Sequence, residues 1–221
     1  MVWLAIVPAG GSGLRLGRPE PKAFVPLGGR PLLARALDAL RGVNFEKIVI
    51  AVPADRVEEA AALLRPAELA VAGGATRGQS VRRAWERLAP RSGDVICIHD
   101  AARPFVTSAE IAAVIFAAER SGAAIAGTPI VDTVKRVGDG SRIAGTIDRE
   151  GLWAAGTPQA FREEILRRAL ADGGEEATDE AMLCERLGIP VEIRPVSRLG
   201  FKVTTAEDLD LAAAIVARGG A

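Results

Sequence analysis

The chain has 221 residues, 49% of them hydrophobic, and its 28 basic and 28 acidic side chains cancel to a formal net charge of zero. That length allows one domain with one substantial core, and the balanced charge excludes a general electrostatic pull toward nucleic acid or acidic membrane. Two cysteines are too few for a disulfide framework, and no apolar run is long and uncharged enough to span a bilayer, so a soluble protein of the reducing cytoplasm is expected.

Trp3–Val7 is an apolar run that ends in Pro8, Ala9, Gly10 and Gly11, with Gly13, Arg15 and Lys22 following. It reads as a buried strand feeding a loop of bare backbone and positive charge that a phosphate can approach. A tight strand-to-helix turn carrying two surface cations is the plainer reading of the same stretch. The dinucleotide fingerprint fails because Leu16 stands where a third glycine belongs, and Gly-Lys-Ser/Thr occurs nowhere.

Farther along, Pro31–Leu40 has helical periodicity, Lys47–Val52 is a strand, Arg56–Leu64 a helix, and Leu69–Val71 a short strand. A helix is expected over Ser80–Leu88, then the strand Val95–Ile98 ending in His99 and Asp100. Thr107 and Glu110 form a capping box for a helix to about Arg120, and Ala123–Ile130 is a further strand. Thr133–Val137 and Ile143–Ile147 alternate around a Gly-Asp-Gly-Ser turn, which predicts a hairpin arm at about 131–157 inserted into an otherwise single domain spanning 1–221. A lone two-stranded ribbon is marginal in water, so the arm is expected to pack on a second copy of the chain. Helices over Phe161–Ala171 and Asp179–Leu187 follow, the second capped by Thr178 and closed by Gly188. Val191–Val196, Phe201–Val203 and a last helix over Ala206–Ala217 complete the chain. Helices alternating with unbroken apolar strands predict a Rossmann-like α/β fold, a mainly parallel sheet with helices on both faces.

In such sheets ligands bind beyond the carboxyl ends of the strands. The residues falling there are the glycine loop with Arg15 and Lys22, the segment Gly73–Ser80, Asp100-Ala101-Ala102-Arg103, and, later, Thr133, Thr157 and Lys202. Cations, hydroxyls, one carboxylate and bare backbone on one rim suit a substrate with several phosphates and a sugar. His99, the sole histidine, ends an apolar strand, a place where a lone histidine is more often structural than catalytic, and is assigned no role.

The strings PAGGSGLRLGRPEPK, GGATRGQSV, HDAARPFV, DTVKR, DREGLWAAGTPQ, TDEA and FKVTTAEDL, in this order, resemble the 2-C-methyl-D-erythritol 4-phosphate cytidylyltransferase family. The resemblance implies transfer of CMP from CTP to the acceptor phosphate with release of pyrophosphate, assisted by Mg²⁺ held mainly by the CTP phosphates. It implies that Arg15 and Lys22 stabilise the transition state while Arg149 and Lys202 position the acceptor. Ala9, Gly10, Gly11, Gly13, Gly74, Ala75, Ser80, Asp100 and Ala101 then serve CTP, and Asp100, Arg103, Thr133, Arg149, Thr157, Thr178 and Lys202 serve the acceptor. It also implies a homodimer in which the arm reaches the neighbouring subunit. The chain departs from the family pattern at Ala75 and Thr76, where an acidic residue is frequent, and at Ala23, where glutamine is. A cytidylyltransferase acting on ribitol 5-phosphate, a non-catalytic CTP-binding regulator and an NAD-dependent reductase are the rival readings, the last disfavoured by the glycine spacing.

Overall fold

A computed structural model describes residues 1–172 and 177–219. Its strands are β1 (Trp3–Pro8), β2 (Pro26–Leu27), β3 (Arg30–Pro31), β4 (Lys47–Val52), β5 (Glu68–Ala72), β6 (Val95–Ile98), β7 (Ala123–Pro129), β8 (Val134–Val137), β9 (Ile143–Ile147), β10 (Trp153–Arg162) and β11 (Glu192–Pro195). Its helices are α1 (Leu32–Arg41), α2 (Val57–Ala61), α3 (Arg77–Leu88), α4 (Ser108–Ser121), α5 (Glu163–Ala171), α6 (Glu180–Arg186) and α7 (Ala206–Ala217). Seven strands form one sheet in the order β11-β7-β10-β6-β1-β4-β5. All neighbours run parallel except β10, which lies antiparallel between β6 and β7.

The alternation within β1 explains the two layers. Ala5 and Val7 face a core formed with Leu33, Leu37 and Leu40 of α1 and Ile111, Val114 and Ile115 of α4. Leu4 and Ile6 face the opposite core, built on Val81 and Ala84 of α3, Leu166 of α5 and Leu183 of α6. Both faces of the sheet are thus covered, which is why the inner strands β1, β4 and β6 are almost wholly apolar. A third cluster packs Ala212 of α7 against Val25, Leu27, Leu32, Phe105 and Val203, fixing the C-terminal helix beside the mouth of the sheet.

Strand β10 corrects the expected helix over Phe161–Ala171: Phe161 pairs with Ile96 and Ala123 as a strand residue, and the helix begins at Glu163. The last part of the span assigned to the arm is sheet as well, since Trp153 pairs with Pro129 and Ala155 with Gly127. The free hairpin is β8 with β9, paired from Val134↔Ile147 to Val137↔Ile143. Asp179, not Thr178, caps α6 by accepting from the Met182 amide at 2.9 Å. Helix α3 starts three residues earlier than expected, because Thr76 accepts from the Gln79 amide as its cap. Phe201–Val203 forms no strand; Val203 instead donates its amide to the Ala102 carbonyl at 2.9 Å. The capping box of Thr107 and Glu110 is present as expected.

Phe161 is fully buried in the core that Leu4 and Ile6 face, with Leu166 and Ala169 of α5. Phe161→Ala is expected to cost about 3–5 kcal/mol, read as a lower urea midpoint with an unchanged slope. Among the described residues no helix is long and apolar enough to cross a membrane. Both cysteines are free and buried; burial pushes the Cys97 thiol well above its ordinary range and the Cys184 thiol to about 12, so neither is reactive.

Candidate active site

A cleft of about 280 Å³ opens at the carboxyl ends of β1, β5 and β6. Its floor is Pro8, Ala9, Gly10 and Gly11, its far wall is Gly74–Arg77 with Ser80, and Arg15, Lys22, Asp100 and Lys202 ring it. The glycine loop reaches this place by folding back on itself. Gly13 sits at φ +71°, and a Cβ there would lie 2.2 Å from the Glu20 carbonyl oxygen, so only glycine allows the loop to close onto residues 20–22. The Lys22 amide then donates to the Gly11 carbonyl at 2.8 Å, and the Lys22 side chain runs over bare Gly11, its Cε 3.5 Å from where a Cβ would stand.

The far wall is rigid through its own hydrogen bonds. Ser80 is buried; its hydroxyl accepts from the Gly74 amide at 3.1 Å and donates to the Thr76 carbonyl at 2.9 Å. Gln79 accepts from the Ala75 amide at 2.9 Å, and Arg83 ties down the Gly73 carbonyl at 2.6 Å. The Ser80 hydroxyl is therefore spent on shaping the turn, which leaves backbone groups to line the pocket.

Asp100 joins the rim elements. It accepts from Lys202 Nζ at 2.7 Å and Arg77 Nε at 3.2 Å, while Arg77 Nη1 reaches both oxygens of buried Glu180 at 2.8 and 2.9 Å. Burial alone would push the Asp100 carboxyl up, but Arg77 and Lys202 hold it far below the usual carboxylate range, so it is ionised. Lys22 is lowered to about 8, first by burial and then by the repulsion of Lys202, with Arg15 and Arg103 adding and Asp100 opposing.

His99 is structural. The Asp100 amide donates to the Thr157 hydroxyl at 3.0 Å, which pairs with His99 Nδ1 at 3.2 Å, and His99 Nε2 faces the Arg103 carbonyl at 3.3 Å. That chain requires the Nε2–H tautomer. Burial lowers the ring to about 4, so it is neutral near pH 7.

A second pocket of about 260 Å³ adjoins the first, lined by Arg103, Ala155, Gly156, Thr157, Gln159, Thr178 and Asp179, and sharing Arg77, Asp100 and Lys202 with it. Arg103 donates to the Gly200 carbonyl at 2.8 Å and lies 3.2 Å from where a Cβ of Gly156 would stand. Thr157 lies within β10, at its irregularity, and not beyond a strand end as expected.

Thus Ala9, Gly10, Gly11, Arg15, Lys22, Gly74, Ala75, Ser80, Asp100, Ala101 and Lys202 line the first pocket, and Arg103, Thr157 and Thr178 the second. Gly13 shapes the loop from outside the cleft. Thr133 and Arg149 line neither pocket; both are exposed at the base of the arm, where Arg149 donates to the Val131 carbonyl. Sequence reasoning put Arg77 on the rim as part of Gly73–Ser80 without a role, and missed Gln159 and Glu180. Each sits inside a string quoted for its family likeness, but the pairings that place it span 20 to 103 positions and leave no local signal.

The sequence profile of the family described as 2-C-methyl-D-erythritol 4-phosphate cytidylyltransferase (IspD) matches residues 3–218. The 2-C-methyl-D-erythritol 4-phosphate cytidylyltransferase of Deinococcus radiodurans is 45% identical over 96% of this chain and 88% of its own, and that of Nocardia farcinica 44% over 97% and 94%. The crystal structure of the Thermus thermophilus enzyme of that name superposes with a TM-score of 0.81 at 33% identity, covering 98% of this chain and 100% of that one. With a fold and a sequence that match from end to end, the chain belongs to the 2-C-methyl-D-erythritol 4-phosphate cytidylyltransferase family.

Proposed function

We propose that this protein transfers CMP from CTP to 2-C-methyl-D-erythritol 4-phosphate, giving 4-diphosphocytidyl-2-C-methyl-D-erythritol and pyrophosphate in isoprenoid precursor synthesis. The observation that carries the reading is the pair of adjoining pockets, the first bearing Arg15 and Lys22 over bare backbone, the second bearing Arg103, with Asp100, Arg77 and Lys202 between them. CTP occupies the first and the acceptor the second. An acceptor phosphate with its second pKa at about 6 is already an anion near neutral pH, so its oxygen attacks the α-phosphorus without a general base, in agreement with the neutral, buried His99. The protein's work is to hold two mutually repelling anions in line and to stabilise charge growing on the α-phosphoryl group and the departing pyrophosphate. Lys22 and Arg15 do the second, Lys202 and Arg103 the first.

Mg²⁺ would be held mainly by the phosphates of CTP, whose charge it would neutralise. Asp100 is the one carboxylate among the described residues lining the cleft, and its two oxygens are already engaged by Arg77 and Lys202, so it offers the ion no free seat.

The test is pyrophosphate release from CTP and Mg²⁺ with either acceptor. Release with 2-C-methyl-D-erythritol 4-phosphate supports the reading; release with ribitol 5-phosphate alone moves the acceptor assignment, and release with neither leaves a CTP-binding regulator.

The lowered Lys22 has a pH consequence. In the free enzyme its ammonium loses its proton as pH rises through about 8, well below its ordinary value of 10.5, so kcat/KM for CTP is expected to fall above about pH 8. A profile flat to pH 10 would contradict this.

Arm and dimer belong to the same proposal. Val137 and Ile143 are exposed at 59% and 66% on a hairpin whose strands pair only with each other among the described residues, which suits burial on a second copy. Thr133 and Arg149, which line neither pocket of their own subunit, then serve the partner's acceptor pocket. Mixing Lys22→Ala with Arg149→Ala subunits is expected to restore about a quarter of wild-type turnover per dimer at random exchange. Strict absence of complementation would remove the sharing.

A further inference from the structure

We propose that Arg77 is a positioning residue, a clamp that sets the acceptor pocket against the nucleotide cleft; this rests on the functional reading above. Arg77 opens α3 and is one of three residues that line both pockets. Its fork engages two carboxylates on different elements: Asp100, beyond β6, at 3.2 Å and Glu180, first residue of α6, at 2.8 Å. Both partners are nearly enclosed, with side-chain exposures of 9% and 3%, so neither has water to replace the guanidinium. Through Asp100 the clamp continues to the Lys202 ammonium. Through Glu180 it reaches the start of α6, where Thr178 and Asp179 line the acceptor pocket. That helix start is held from a second side by Gln159, whose amide donates to Asp179 at 2.9 Å and accepts from the Ala181 amide at 3.2 Å. The rest of the nucleotide wall is held without Arg77, because Gly74, Ala75 and Gly73 are tied to Ser80, Gln79 and Arg83. Loss of the clamp therefore loosens Lys202, Asp100 and α6, and spares the base pocket. Arginine is required because a lysine ammonium is a point charge without the fork that spans two carboxylates.

The test separates a clamp from mere stability. Arg77→Met leaves Glu180 buried without a partner, so it is combined with Glu180→Gln, which removes that charge. The double variant is expected to raise KM for the acceptor phosphate at least tenfold and to lower kcat, with KM for CTP within threefold of wild type. Glu180→Gln alone, which keeps the Arg77 to Asp100 pair, is expected to raise the acceptor KM by threefold or more, short of the double variant. If the double variant fails to fold, the single variant decides by the same threefold criterion. Acceptor KM unchanged in Glu180→Gln and the double variant, or CTP and acceptor KM rising in parallel, overturns the clamp. Wild-type protein that releases no pyrophosphate overturns the functional reading itself, a result distinct from an active wild type with unaffected variants.

Discussion

Lys22→Ala is expected to lower turnover by about 10³-fold while the fold and its thermal midpoint stay within a few degrees of wild type. A preorganised charge aimed at developing anionic charge contributes about 3–4 kcal/mol in a water-poor site. Lys22 is such a group: its backbone is fixed by the Gly11 carbonyl, its side chain lies along the cleft floor, and burial has already stripped part of its hydration. Its folding contribution is small for the same reason. Among the described residues it forms no ion pair, and its neighbours Lys202, Arg15 and Arg103 repel it, so alanine relieves repulsion rather than breaking a bond. Single-turnover rates with saturating CTP, beside a melting curve, check the split. Turnover near wild type would remove Lys22 from the chemistry.

Asp100→Asn is the second large effect, with an expected loss of about 10²-fold in turnover and about 3–5 kcal/mol in stability, the range for breaking a buried pair by removing one partner. Asp100 is the common counter-ion of Arg77 and Lys202, with Arg103 near enough to help hold it ionised. Asparagine keeps the shape but leaves these cations facing one another, so Lys202 no longer has a fixed seat. CTP affinity is expected to change little or to increase, since an anionic group leaves a pocket meant for a triphosphate. Because the native carboxyl is depressed, its stabilisation is complete above the unfolded value of about 4 and is lost as pH falls below that toward the folded value. The difference between wild-type and variant stabilities should accordingly shrink in acid. A variant as stable and as fast as wild type would show that the rim charges are set without Asp100.

How much of the fold and site is legible in the sequence follows from how local each signal is. Strands β1, β4 and β6 are readable because each is a nearly continuous apolar run flanked by turn or helical signals, and Ala5 and Val7 against Leu4 and Ile6 feed two cores. Strand β10 is hidden: Trp153–Arg162 contains Gly156, Pro158 and Gln159 and pairs only with distant β6 and β7, so its strand character comes from tertiary pairing that overrides local pattern. Phe161 reads as a helix start because the apolar period of α5 continues into it. The cap of α6 falls one residue later than the sequence suggests because Thr178 and Asp179 are both good caps and only the Met182 amide chooses between them. At the site, Arg15, Lys22, Asp100 and Lys202 can be collected because each follows a recognisable strand or loop. The Glu180, Arg77 and Asp100 chain cannot, since a lone arginine inside a glycine-rich segment gives no hint of carboxylates 23 and 103 positions away.

The central claim is that a nucleotidyl group, not a terminal phosphate, moves to the acceptor. CTP labelled at the α-phosphorus, incubated with Mg²⁺, 2-C-methyl-D-erythritol 4-phosphate and the wild-type protein, tests it directly. Label from the α-position is expected in the acceptor product, while CTP labelled at the γ-phosphorus yields label only in pyrophosphate. Label from the γ-position in the acceptor, or no label transfer from either position, would contradict it.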